Sequence, residues 1–129
     1  MSENFFEVNN VDFKIGGKTR VKNASFSIKN EGDIICLLGP SGIGKTTILR
    51  TISGLERITS GSITLNKKLL SSKSIHIEPE DRNISLAFQE NSLFPHFNVE
   101  KNILAGTEKK INKKKIISPK EIIKILNLK

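Results

Sequence analysis

Gly39, Pro40, Ser41, Gly42, Ile43, Gly44, Lys45, Thr46 and Thr47 follow one another in the order G-x-x-x-x-G-K-T-T. Glycines at 39, 42 and 44 let the main chain curl around a β-phosphate without Cβ clashes. Successive N–H groups then converge on the anion at the positive end of the following helix. Lys45 adds a mobile ammonium for the β and γ phosphates, and the Thr46 hydroxyl is placed to ligate the Mg²⁺ that bridges them. These residues predict a nucleoside triphosphate site. A Gly/Ser-rich turn can match the same pattern by chance, and what separates the two is context: a buried strand before the loop and a helix after it.

Both flanks are present. Residues 34–38 (Ile, Ile, Cys, Leu, Leu) form an unbroken apolar run, which predicts a strand covered on both faces. After the loop, Ile48, Leu49 and Ile52 share a helical face over residues 46–53, and Gly54 is placed to stop the helix. Upstream, residues 5–13 alternate loosely, Gly16 and Gly17 break the chain like a hairpin turn, and Phe26 and Ile28 share a face within residues 24–28. This predicts an antiparallel β-layer. Residues 60–65 read as a returning strand, followed by a polar connection through Pro79, Glu80, Asp81 and Arg82. Residues 84–88 read as a further short apolar strand ending at Gln89. Beyond Pro95 the pattern turns helical: Val99, Ile103 and Leu104 keep helical spacing, and Ser118, Pro119 and Glu121 predict a capping box ahead of Ile122, Ile123, Ile125 and Leu126.

Length and composition bound the possibilities. At 129 residues the chain suits one domain with a real core. Its 21 basic and 13 acidic residues give a net charge of +8. The excess crowds into Lys109, Lys110, Lys113, Lys114 and Lys115 without interleaved aromatics, which fits a solvated loop better than a specific nucleic-acid surface. The single cysteine, Cys36, sits in the apolar run, where a small hydrophobe is expected. The N-terminal residues lack the basic and apolar regions of a secretory signal, and no apolar stretch approaches the about 20 residues of a spanning helix. A cytoplasmic location is expected, with any membrane association made through a partner.

The order of motifs goes further than the phosphate loop. Residues 84–89 (Ile, Ser, Leu, Ala, Phe, Gln), then Asn91, Ser92, Leu93, Phe94, Pro95, His96, Phe97, Asn98 and Val99, then Glu100 to Ile103, resemble the Q-loop region of the ATP-binding subunits of ABC transporters. The form with Leu93, Phe94, Pro95 and His96 is similar to that of bacterial importers of iron, polyamines, sulfate and related solutes. Gly54, Leu55 and Glu56 and the turn at Ser60 and Gly61 follow the family's course. The likeness runs from Val8 to Leu128. It implies an α/β P-loop core with an N-terminal antiparallel β-layer over residues 1–90. Residues 91–129 would hold the Q-loop and the start of a helical subdomain, the whole being the N-terminal portion of one ABC ATP-binding domain.

By that resemblance, residues 39–47 hold the phosphates of ATP, Thr46 and Gln89 hold Mg²⁺, and Gln89 also meets the attacking water and reports nucleotide state to the partner. His96 is expected as a surface contact to the transporter. The partners implied are membrane-spanning permease subunits and a second ATP-binding subunit, placing the protein on the inner face of the cell membrane. Where relatives stack an aromatic residue on adenine, this chain has Ile15. A base–aromatic stack is worth roughly 1–3 kcal/mol, and Phe13, two residues earlier, is a candidate substitute.

The family's signature motif, Walker B Asp, catalytic Glu and switch His come after Leu128, and the 129 residues contain none of them. The chain is therefore expected to bind ATP without hydrolysing it alone, as a truncated product or an incomplete sequence would. Its strand at residues 34–38 would lack sheet neighbours and expose apolar surface. Two alternatives stand beside this reading. A small P-loop kinase or GTPase would need an acceptor lid or a guanine reader, and residues 66–69 (Asn, Lys, Lys, Leu) lack the Asp of the latter. A nonenzymatic fragment would only dock on a membrane subunit.

Overall fold

The computed structural model describes residues 3–90, 92–105 and 118–127. Asn91, the five clustered lysines and Leu128 lie outside the described residues. The chain divides into two compact units, Met1–Leu86 and Ala87–Lys129.

The first unit is built on a four-stranded antiparallel sheet of order β2-β1-β3-β4. Its strands are β1 (Phe6–Ile15), β2 (Lys18–Ile28), β3 (Ser62–Leu65) and β4 (Lys68–Ser71). β1 and β2 close on the two-residue turn at Gly16 and Gly17, as the sequence predicts, with Ile15 opposite Lys18. β3 and β4 close on Asn66 and Lys67, both at positive φ (46° and 65°), and this hairpin goes unnoticed in the polar connection of the sequence. The chain then turns back along β4, where the Ile77 N–H donates to the Leu70 carbonyl at 2.9 Å.

Alternation along β1 sends Phe6 and Val8 to one face, and the irregularity between Val8 and Val11, where Asn10 stands at φ 51°, resets the phase so that Val11 and Phe13 are buried on the same side. There they form a single core with Ile63 of β3, Ile58, and Ile48 from helix α1 (Lys45–Ile52). α1 is rich in β-branched residues, which lose side-chain freedom in a helix, so its intrinsic propensity is modest. Packing and end contacts hold it instead. Thr47, Ile48 and Thr51 are buried, and the Thr51 hydroxyl donates to the Thr47 carbonyl at 2.7 Å. The helix ends as predicted at Gly54, whose φ is 93°. The Gly54 N–H bonds the Thr51 carbonyl and the Leu55 N–H bonds the Arg50 carbonyl, the paired contacts of a Schellman ending.

Two expected strands do not form. Residues 34–38 run without any ladder, with Ile34 90% and Leu38 92% exposed, and Cys36 is exposed as well. Residues 84–88 likewise form no ladder among the described residues, and Phe88 is 45% exposed. The reason is physical: an apolar run becomes a strand only when neighbours take up its N–H and C=O groups, and among the described residues no strand lies beside either segment. Within the run only Leu37 is partly buried against the core, and Ile35 stays 43% exposed. With Phe6, Phe26, Ile52 and Ile84 they line an apolar groove of about 270 Å³.

In the second unit, α2 (Val99–Leu104) is capped by Asn98, whose side chain accepts from the Lys101 N–H at 2.8 Å. Asn102 fastens the preceding loop: its Oδ1 accepts from the Phe94 N–H at 2.8 Å and its Nδ2 donates to the Phe94, Phe97 and Asn98 carbonyls. Around this turn His96 packs edge to face with Phe94 and with Phe97, whose own rings are tilted at 49° to each other. α3 (Pro119–Ile125) opens with the predicted capping box. The Ser118 N–H and hydroxyl, both bonded to Glu121, hold that carboxyl below its ordinary range.

The contrast in burial gives an expected outcome for urea unfolding of the 129-residue chain. Phe13→Ala empties a fully buried site and costs about 3–5 kcal/mol. Leu38→Ser, at an exposed and unpaired position, changes stability by about 0.5 kcal/mol at most.

Candidate nucleotide site

The phosphate-loop residues sit in the first unit at the start of α1, as the sequence predicts. Gly44 is the residue before the helix and stands at φ 119°. A Cβ there would fall 2.9 Å from Val21 Cγ2 and 3.2 Å from Arg20 Cβ, so the loop lies in contact with β2 and only glycine fits. No side chain caps this helix start. The N–H groups of Gly44, Lys45, Thr46 and Thr47 have no acceptor among the described residues. Unmet donors in the first turn, added to the helix dipole, make an anion site.

Lys45 reaches back over the loop. Its ammonium donates to the Gly39 carbonyl and, at 2.9 Å, to the Pro40 carbonyl. An ammonium has three donors, so one remains for a ligand, and the two carbonyls fix where it sits. Thr46 is exposed and its hydroxyl makes no hydrogen bond among the described residues, whereas Thr47 is buried. Ser41, Gly42 and Ile43 form the exposed turn of the loop.

The adenine contacts come out differently from one another. Ile15 is half-buried at the hairpin end of β1. Phe13 has no exposed surface: its ring is enclosed by the core, so it offers no face to a base, and the expectation that it replaces a stacking aromatic is corrected. Gln89 belongs to the second unit, where it is exposed and makes no hydrogen bond among the described residues.

One residue that bears on the site lies in the polar connection, where no motif marks it. Arg82 is 1% exposed and reaches the far end of α1. Its Nη1 donates to the Ile52 carbonyl at 3.1 Å and the Thr51 carbonyl at 3.4 Å, and its Nε to the Ile77 carbonyl at 2.7 Å. Nη2 donates to the Ser71 hydroxyl at 2.7 Å and to His76 Nδ1 at 3.2 Å. A cation on the last carbonyls of a helix complements its dipole. Burial lowers the Arg82 pKa from its ordinary value, with the Glu78 carboxylate acting the other way. A Cβ on Gly54 would lie 2.5 Å from Arg82 Nε, so this glycine also clears the guanidinium's path.

Because a guanidinium can only donate, His76 Nδ1 must accept, and the ring proton sits on Nε2, which donates to the Gly54 carbonyl at 3.1 Å. The network therefore requires neutral His76. Burial, then the charges of Arg82 and Arg57, lower its pKa from 6.5, against weaker opposing effects of Glu78 and the Gly54 contact.

The ABC transporter family model matches residues 21–128, and the chain belongs to that family. It is 43% identical over 91 residues to the sn-glycerol-3-phosphate import ATP-binding protein UgpC of Salmonella typhi, covering 70% of this chain and 24% of the relative. It is also 43% identical over 117 residues to the spermidine/putrescine import ATP-binding protein PotA of Mycoplasma capricolum subsp. capricolum, covering 91% of this chain and 32% of the relative. The chain thus spans about a quarter to a third of the length of these curated relatives. In fold it is similar to the crystal structure of a nucleotide-free ATP-binding cassette from an ABC transporter, with a TM-score of 0.69 and 23% identity, covering 96% of this chain and 53% of that one. That places it in the α/β P-loop fold with its antiparallel β-layer.

The His76 network yields a pH prediction. The folded pKa lies below the unfolded value of 6.5, so the unfolded chain binds more protons in that window and stability rises with pH. The contribution is complete above about pH 6.5 and is lost as pH falls through the lower, folded value. The urea midpoint should drop between about pH 7.5 and pH 5.5, and His76→Gln, which can still donate and accept, should flatten that drop.

Proposed function

We propose that this chain is the nucleotide-binding, N-terminal portion of an ATP-binding subunit of an ABC importer. The observation that carries the reading is the start of α1, with its unmet N–H groups and the Lys45 ammonium fixed across the loop. Residues 39–47 hold the triphosphate of ATP: the amides take the β-phosphate and the remaining Lys45 proton meets the β and γ oxygens.

Mg²⁺ fits the same place. No cluster of His, Cys, Asp or Glu among the described residues could hold a metal by itself, so the ion comes with the phosphates, and the free Thr46 hydroxyl is the ligand this unit offers. Gln89 is the second ligand and the coupling residue by the family resemblance. Bound Mg²⁺ neutralises phosphate charge. Family membership and the two import relatives support permease subunits and a second ATP-binding subunit as partners. No helix among the described residues is long and apolar enough to cross a membrane, and the reading places the chain on the cytoplasmic face through its permease.

Residues 34–38 and the apolar groove beside them are the place where further strands of such a domain pair. Without the signature, Walker B and switch residues, the 129 residues bind without turning over. The test is calorimetry with Mg-ATP. Lys45→Ala should weaken binding by about 1.5–3 kcal/mol, the range for hydrogen bonds to charged groups. Phosphate release by the native chain should equal that of Lys45→Ala at every protein concentration. Equal ATP affinity in the two proteins would remove the loop from nucleotide binding.

A further inference from the structure

The strand beside the phosphate loop carries a cation that the loop motif does not explain. In the β1–β2 ladder Phe13 faces Val21 and Lys14 faces Thr19, so the register slips by one residue and Arg20 is the extra residue of β2. Such a bulge bends the strand and re-aims the side chains around it. Here it brings Arg20 and Val21, consecutive in sequence, against the same glycine: both would touch a Cβ on Gly44, at 3.2 and 2.9 Å. The Arg20 backbone therefore packs beside Gly44, the residue that opens α1.

The head group is uncommitted. Arg20 is exposed, and the ion pairs among the described residues, Arg50 with Glu56 and Arg57 with Glu78, do not include it. Its guanidinium makes no hydrogen bond among the described residues, and no acidic residue occurs from Phe13 to Asn23. Lys18 and Lys22, exposed on the same strand, add charge of the same sign. A guanidinium on a flexible stem reaches several ångströms from its Cβ, and its planar fork matches phosphate oxygens in pairs.

We propose that Arg20 is a further nucleotide-binding residue, whose guanidinium contacts the phosphate chain of the nucleotide held by the loop; this rests on the reading given above. Lys45 and the amides take the phosphates from the loop side, and Arg20 takes them from the β2 side.

The test is calorimetric titration of the native 129-residue chain, Arg20→Ala and Arg20→Lys with Mg-ATP and with inorganic tripolyphosphate. Arg20→Ala should weaken both ligands about tenfold, as loss of a charge-assisted hydrogen bond does, and Arg20→Lys should recover part of that loss. Unchanged affinity in Arg20→Ala overturns the proposal. Loss of ATP affinity with tripolyphosphate unaffected also overturns it, by moving Arg20 to the sugar or base. If the native chain binds neither ligand, the nucleotide reading itself fails and this proposal falls with it.

Discussion

The first unit depends on one buried cation. Arg82 ties the last turn of α1 to β4 through Ser71, to the returning segment through Ile77, and to His76. A buried guanidinium is costly unless its donors are met, and here the carbonyls of a helix end, a hydroxyl and an imidazole meet them. That helix is the one whose other end makes the phosphate loop. A short helix of β-branched residues with no N-terminal side-chain cap has little stability of its own. It is held at its C-terminus by Arg82 and the Gly54 ending, and along its side by Ile48 in the core. Its N-terminal donors are thereby left for a ligand rather than consumed in holding the fold.

β2 plays the matching part at the other end. Contact between Gly44 and the Arg20–Val21 bulge fixes where the loop enters the helix, and the same ladder carries Phe13 into the core beneath. The proposed nucleotide contacts and the core thus share β1 and β2 but use separate side chains: Phe13 and Val11 pack, while Arg20 is exposed and Lys45 lies over the loop.

Much of this was legible in the sequence, for identifiable reasons. The Gly16–Gly17 turn, the Gly54 stop and the Ser118 capping box depend on local chemistry, and local chemistry is written in adjacent residues. Residues 34–38 and 84–88 do not form the strands expected of them, because an apolar run states only that burial is wanted and a strand needs partners; the exposed apolar surface expected at 34–38 for want of sheet neighbours is what the structure shows. β4 was missed because Asn66 and Lys67 are a less familiar turn pair and Leu69 and Leu70 give too short a pattern. Arg82 matches no motif, since beside the nearby Ile77 and His76 it depends on acceptors 11 and 30 residues away in the chain. Within the site, the loop residues could be named from spacing. Phe13 could not be separated from a base-stacking residue until its burial was known.

The central claim is that the main-chain amides opening α1 are a phosphate cradle. Titrating the isotopically labelled 129-residue chain with Mg-ATP, while following backbone amide resonances by NMR, tests it most directly. The account predicts that Gly44, Lys45, Thr46 and Thr47 shift most and saturate together, with little change at the core residues Val8 and Ile63. Saturable ATP binding that leaves those four amides unmoved would contradict it.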